Sequence, residues 1–191
     1  VRAVRRERGL PIVAHVHWSG VRMEELAALP GICAIEIYNF LAQQLNGKGY
    51  SLPYWDDLLN RGRKVWGVAC DDAHFNRHPQ NPEKSKYGRG WIMVNADALN
   101  VRAITEAIAA GNFYSTQGPQ ILSIETSGRT IRVRTSKVRK IKFIANEWKG
   151  LVIKPSRGFL QEAEYEFKER YGGGYVRIEC EDDKSLTAWS N

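Results

Sequence analysis

The 191-residue sequence contains four histidines: His15, His17, His74 and His78. His15 and His17 stand in 12-IVAHVHWSG-20, at the end of a short β-branched apolar run. His74 closes 70-CDDAH-74, beside Asp71 and Asp72. Imidazole grouped with carboxylate suits Zn, Mn or Fe. Asp72-x-His74 puts two donors on one short turn. Aspartate and histidine also meet in ordinary solvated loops, so the pair gains weight from His15 at a second strand end. On this argument His15, Asp72 and His74 are the candidate ligands of a divalent metal. His17, past the strand end, touches substrate, supports a ligand from outside, or stacks beside Trp18. The His-x-His itself reads in two ways. Either it is the first metal motif of a complete barrel hydrolase, or it is a late motif in which one histidine is the ligand.

Other polar residues sit where strands end. Glu36 interrupts the apolar 34-AIEIYN-39. A carboxylate there is rarely left unpaired, so it faces the site or pairs with a Lys or Arg. Asn39, at the strand end, is the better placed of the two to touch substrate. Ser115 and Thr116 end 113-FYST-116, where they contact a phosphate or take part in the turn before Gly118-Pro119. Cys33, Cys70 and Cys180 are far apart and form no Cys-x-x-Cys pair. They read as reduced packing residues.

The elements that carry these residues alternate. Strands are expected at 11–16, 33–40, 64–71, 91–96 and 112–118. Helices are expected at 22–29, 51–62 (capped by Ser51, with Pro53 in its first turn) and 100–111 (capped by Asn100, closed by Gly111). Near-continuous apolar strands separated by helices imply parallel βαβ units, whose strand carboxyl ends share one mouth. Residues 76–90 form a polar loop containing His78. Beyond Gly118-Pro119 only strands are read, several of them alternating polar and apolar. That pattern implies antiparallel sheets with one wet face.

The net charge of +7 favours anionic partners without defining the fold. The basic run 132-RVRTSKVRKIK-142 reads as a solvated strand face, because it lacks the interleaved aromatics of a nucleic-acid platform. Nucleic acid stays open as a partner but is not favoured. No apolar run approaches the ~20 residues of a membrane span, and residues 1–10 lack the core of a signal peptide. A cytoplasmic protein is expected.

The segments AHVHWSG, AIEIYN, WDDLL-RGRKVWGVACDDAH, GWIMV, AITEAIAAGNFYSTQGP and VRIECED…AWSN, in that order, resemble the carboxyl-terminal part of a PHP-domain (polymerase and histidinol phosphatase) protein. The resemblance covers nearly the whole chain. It implies a distorted (β/α)7 barrel with metal ions in its mouth and hydrolysis of phosphoesters by metal-activated water. It matches His15 to the family's late His-Pro position, with Val16 in place of proline, and Asp72 and His74 to the closing Asp-x-His. The family's early His-x-His and its mid-chain ligands have no counterpart ahead of residue 15. A complete barrel opening at His15 would need about seven further βα units, whereas about four strands precede the β region. The His-x-His is therefore expected to be a late motif.

The resulting expectation is an α/β chain: a partial (β/α)7-type, distorted TIM-like barrel over residues 1–118, then a small antiparallel β-sandwich-like domain over 119–191. It is expected to be a fragment of a metal-dependent phosphoesterase, with Zn, Mn or Fe incompletely liganded and little activity alone. A phosphorylated small molecule is the expected substrate, its phosphate held by Arg89, Lys84 or Lys86. Exposed strand edges imply self-association. The alternative is a non-catalytic module binding an anion or partner through the basic β domain. A glycosidase-like pair of Glu36 and Asp71 is weaker, since two carboxylates alone do not establish the separation such chemistry needs.

Overall fold

The computed structural model describes residues 1–74, 87–167 and 174–191. The chain divides into two compact units, Val1–Ser115 and Thr116–Asn191.

The first unit carries strands β1 (Ile12–Val13), β2 (Ala34–Asn39), β3 (Trp66–Cys70), β4 (Trp91–Val94) and β5 (Phe113–Thr116, whose last residue falls in the second unit). Its helices are α1 (Arg2–Arg6), α2 (Met23–Ala28), α3 (Phe40–Asn46), α4 (Leu52–Asn60) and α5 (Val101–Ala110). Strands β1, β2 and β3 form a parallel sheet in that order, with Ile12 opposite Ala34 and Ala34 opposite Trp66. Ile35 and Ile37 of β2 are fully buried, as continuous apolar strands between helical layers should be. Helix α4 packs its Trp55 onto β3. Gly67 makes room for it, since a Cβ there would lie 2.9 Å from Ile37 Cγ2 and 3.0 Å from Trp55 Cη2. The buried indole Nε1 donates to Val65 O at 2.7 Å. Asn100 caps α5 by accepting Ala103 N–H at 2.9 Å, and Gly111 ends it in the left-handed conformation.

The barrel expectation is overturned. Strand residues (38%) outnumber helical ones (21%), and the described residues form small sheets with no TIM-like wall. The parallel sheet stops at β3. Strands β4 and β5 neighbour each other outside it, joined at the end of one and the start of the other by Asn95 N–H to Asn112 O. Alternation of strand and helix is necessary for a barrel but does not dictate which sheet each strand joins. The apolar runs after Cys70 satisfy a separate pairing, and the parallel register is not propagated.

The second unit contains β6 (Ile121–Ser127), β7 (Thr130–Val138), β8 (Lys140–Ala145), β9 (Gly150–Ile153), β10 (Leu160–Glu166), β11 (Val176–Glu181) and β12 (Thr187–Ser190). Two antiparallel arrays result, in the orders β10-β7-β6 and β12-β11-β8-β9. Period-two alternation supplies most of the core: Ile141 and Phe143 from β8 and Ile178 and Cys180 from β11 are buried, and in β7 Val133 and Thr135 keep that phase while Val138 is buried out of phase with them. Phe143 stacks on Tyr165 of β10 with ring centroids 5.4 Å apart. The expected wet face is not uniformly wet, since Arg177 and Glu179 are 3% and 4% exposed and pair at 2.5 Å.

Candidate functional site at the carboxyl ends of the parallel strands

Strands β1, β2 and β3 run the same way, so their carboxyl ends lie together. The residues just beyond two of them have unusual backbones. His15 follows β1 with φ +32°, and Asp72 follows β3 with φ +51°. Left-handed conformations in non-glycine residues cost of order 1–2 kcal/mol each and persist where their surroundings hold them.

Hydrogen bonds from β2 hold both. Glu36 Oε2 accepts His15 N–H at 2.6 Å and the Asn39 amide at 3.0 Å, while Oε1 accepts the Cys70 thiol at 3.0 Å. The Asn39 amide also reaches Asp72 Oδ2 at 3.1 Å, and Asn39 Oδ1 caps α3 by accepting Ala42 N–H at 2.8 Å. Asp72 Oδ1 lies 3.0 Å from His74 Nε2. His15, Glu36, Asn39, Asp72 and His74 thus form one connected chain across three strand ends. His15 turns Nδ1 to Ser19 Oγ at 2.6 Å, which leaves Nε2 for another partner.

The electrostatics follow from these contacts. Partial burial by itself would raise the Asp72 carboxyl. The Asn39 amide, the His74 hydrogen bond and the charges of His74 and His15 outweigh it and hold Asp72 below its ordinary value. Burial, and then the Glu36 carboxylate, push the Cys70 thiol far up, so Cys70 is a protonated donor rather than a thiolate ligand.

The other predicted residues are placed as follows. His17 Nδ1 bonds Tyr50 O at 3.0 Å, and its backbone N–H reaches Ser51 Oγ at 3.2 Å. Ser51 therefore spends its hydroxyl on the His17 turn; the expected side-chain cap on α4 is absent. Asp71 accepts Gly88, Arg89 and Gly90 N–H at 2.6, 2.7 and 2.8 Å, and the Arg89 guanidinium lies 6.0 Å from the Phe40 ring centroid. Ser115 and Thr116 are buried, one in each unit. Ser115 Oγ donates to Gly67 O at 2.8 Å and Thr116 Oγ1 to Pro119 O at 2.6 Å, so both hydroxyls tie down backbone. His78, Lys84 and Lys86 lie outside the described residues.

The donor chemistry fits a divalent ion in kind: two imidazoles and a carboxylate, with one imidazole oriented through its other nitrogen. It does not fit in number, because among the described residues no three His, Cys, Asp or Glu side chains form a group able to hold a metal. By themselves the described residues do not make a metal site.

Sequence reasoning left Glu36 undecided between the site and an ion pair, and it missed Ser19, the thiol donor at Cys70 and the Asp71 clamp. A glutamate embedded in AIEIYN was the available signal. Within the basic run of β7, Arg132 pairs with Glu164 and lies 3.4 Å from Glu162. No helix among the described residues is long and apolar enough to cross a membrane. The chain matches no protein-family model, no curated protein and no solved structure.

Proposed function

We propose that the carboxyl ends of β1, β2 and β3 contribute part of a divalent-metal centre serving phosphoester hydrolysis, and that this chain by itself turns over little substrate. The observation that carries the reading is the connected chain from His15 through Glu36 and Asn39 to Asp72 and His74, anchored on two left-handed residues past the ends of β1 and β3, the strands that flank β2. His15, Asp72 and His74 are the residues that would hold the ion. A divalent ion held there supplies water activation and charge neutralisation at the phosphoryl oxygens.

This chain's own residues do the rest. Asn39 orients Asp72 through its amide. Ser19 orients the His15 ring. Asp71 fixes the backbone of Arg89, whose guanidinium is suited to a substrate phosphate. The resemblance to PHP proteins agrees with this chemistry. The substrate would be a small phosphorylated metabolite in the cytoplasm, a setting in keeping with three free cysteines. The alternative of anion binding by the β domain is less favoured, because the Arg132 charge is met by glutamates on β10.

Two measurements test the reading. Titration calorimetry with Zn(II) or Mn(II) should find weak binding that His74→Ala abolishes; no binding by the wild-type chain removes the metal centre. Hydrolysis of p-nitrophenyl phosphate with added Mn(II) or Zn(II) should be slow; robust turnover refutes an incomplete site.

A further inference from the structure

A regular strand sends residues three apart to opposite faces, yet Glu36 and Asn39 meet at 3.0 Å. The pairing of β2 with β3 explains how. Glu36 is opposite Val68 and Tyr38 is opposite Ala69, so one extra residue, Ile37, is inserted between them. This bulge bends β2 and re-aims the side chains on either side of it. Ile37 is fully buried. Glu36 and Asn39 are turned toward the same strand ends.

Glu36 has no ion pair among the described residues. Its hydrogen-bond donors there are the His15 N–H, the Asn39 amide and the Cys70 thiol. The contact with His15 is made by the backbone, at the one residue of the β1–α2 connection with a left-handed, non-glycine φ. The carboxylate therefore acts on the conformation of His15 and leaves the ring free of it. We propose that Glu36 is the positioning residue of this site: from the β2 bulge it locks the His15 backbone in its left-handed conformation and thereby sets the direction of the imidazole. The metal arm of this inference rests on the phosphoesterase reading; the positioning of His15 does not.

The test uses the full chain labelled with ¹⁵N. The His15 amide proton should resonate far downfield in the wild type, as a short bond to a carboxylate requires, and should move upfield in Glu36→Gln. Zn(II) affinity by calorimetry should fall on the order of 10-fold in the same variant, the scale of losing a group that orients a ligand. In a His15→Ala background, Glu36→Gln should add no further loss, because Glu36 acts through His15. An unmoved His15 amide overturns the proposal. Additive losses overturn it too, since Glu36 would then act by a route other than His15, as a ligand or through Asn39 and Asp72. If the wild type binds no Zn(II), the metal reading fails while the amide shift still decides the role of Glu36. Should Glu36→Gln not fold, Glu36→Asp keeps the charge, withdraws the carboxylate by one methylene, and is read the same way.

Discussion

The Asp71 carboxylate receives the backbone N–H of Arg89 at 2.7 Å, with Gly88 and Gly90 donating to the same carboxylate on either side. Three successive amides on one anion make a charge-assisted clamp. Asp71→Ala removes all three bonds and leaves the amides to water. The expected cost is about 2 kcal/mol, less than the sum of three because the turn is partly exposed. A urea denaturation midpoint shifted without a change in slope would show it. An unchanged midpoint would mean the turn is held by other contacts.

Asp72 makes stability depend on acid. Its carboxyl is held below the ordinary value of 3.8 in the folded chain. The folded state therefore binds the proton less readily than the unfolded one. The stabilisation is fully present above the ordinary value and is lost as pH falls through the lower folded one. The stability difference between wild type and Asp72→Asn should shrink on acidification from about pH 5 to about pH 2. A difference that grows on acidification would reverse the assigned sign.

In the second unit, Glu179 accepts Arg177 Nη1 at 2.5 Å and Lys142 Nζ at 2.9 Å while only 4% exposed. Glu179→Ala strips both cations of this partner in a buried setting. The expected loss is about 3–5 kcal/mol, read by thermal unfolding of the full chain. The same cluster responds to base. Burial alone would lower the Lys142 value, but the hydrogen bond to Glu179 and the charges of Glu179 and Glu181 raise it above 10.5. That contribution is complete below the ordinary value and disappears as pH climbs through the raised one. Glu179→Ala should flatten the alkaline limb of the stability profile.

Self-association is expected through strand edges. Among the described residues strand β6 ends its array and leaves Leu122 and Ile124 exposed at 59% and 43%. Unpaired backbone beside apolar side chains invites pairing with another copy. Light scattering after size exclusion should give a mass above one chain, and Ile124→Lys should lower it. A monomer in both cases would show that the edge is tolerated.

Short-range signals in the sequence were legible where one residue decides the outcome. Asn100 and Gly111 bound α5 as their chemistry requires, because a cap and a left-handed glycine act locally. The apolar runs around Ile35 and Val68 gave parallel strands, since burial on both faces demands them. Helix α3 went unread, although Asn39 caps it and Gly47 closes it; the AIEIYN strand ran into it without a break. The barrel failed for a different reason. Which sheet β4 and β5 join is set by pairings far along the chain, and apolar content does not encode them. The site divides in the same way. His15, Asp72 and His74 could be picked out by residue type. The role of Glu36 depends on a single inserted residue at Ile37, and no pattern of hydrophobicity reveals a bulge.

The cross-strand charges of the second unit also select an alignment. Glu179 faces Lys142 and Glu181 faces Lys140 across β11 and β8. Sliding β11 by two residues in either direction keeps only one glutamate opposite a lysine. Sliding it by one turns the charged side chains toward the core face occupied by Ile141 and Phe143. The two glutamate–lysine rungs therefore favour one register: every neighbouring alignment forfeits an attraction or parts a charge from its partner.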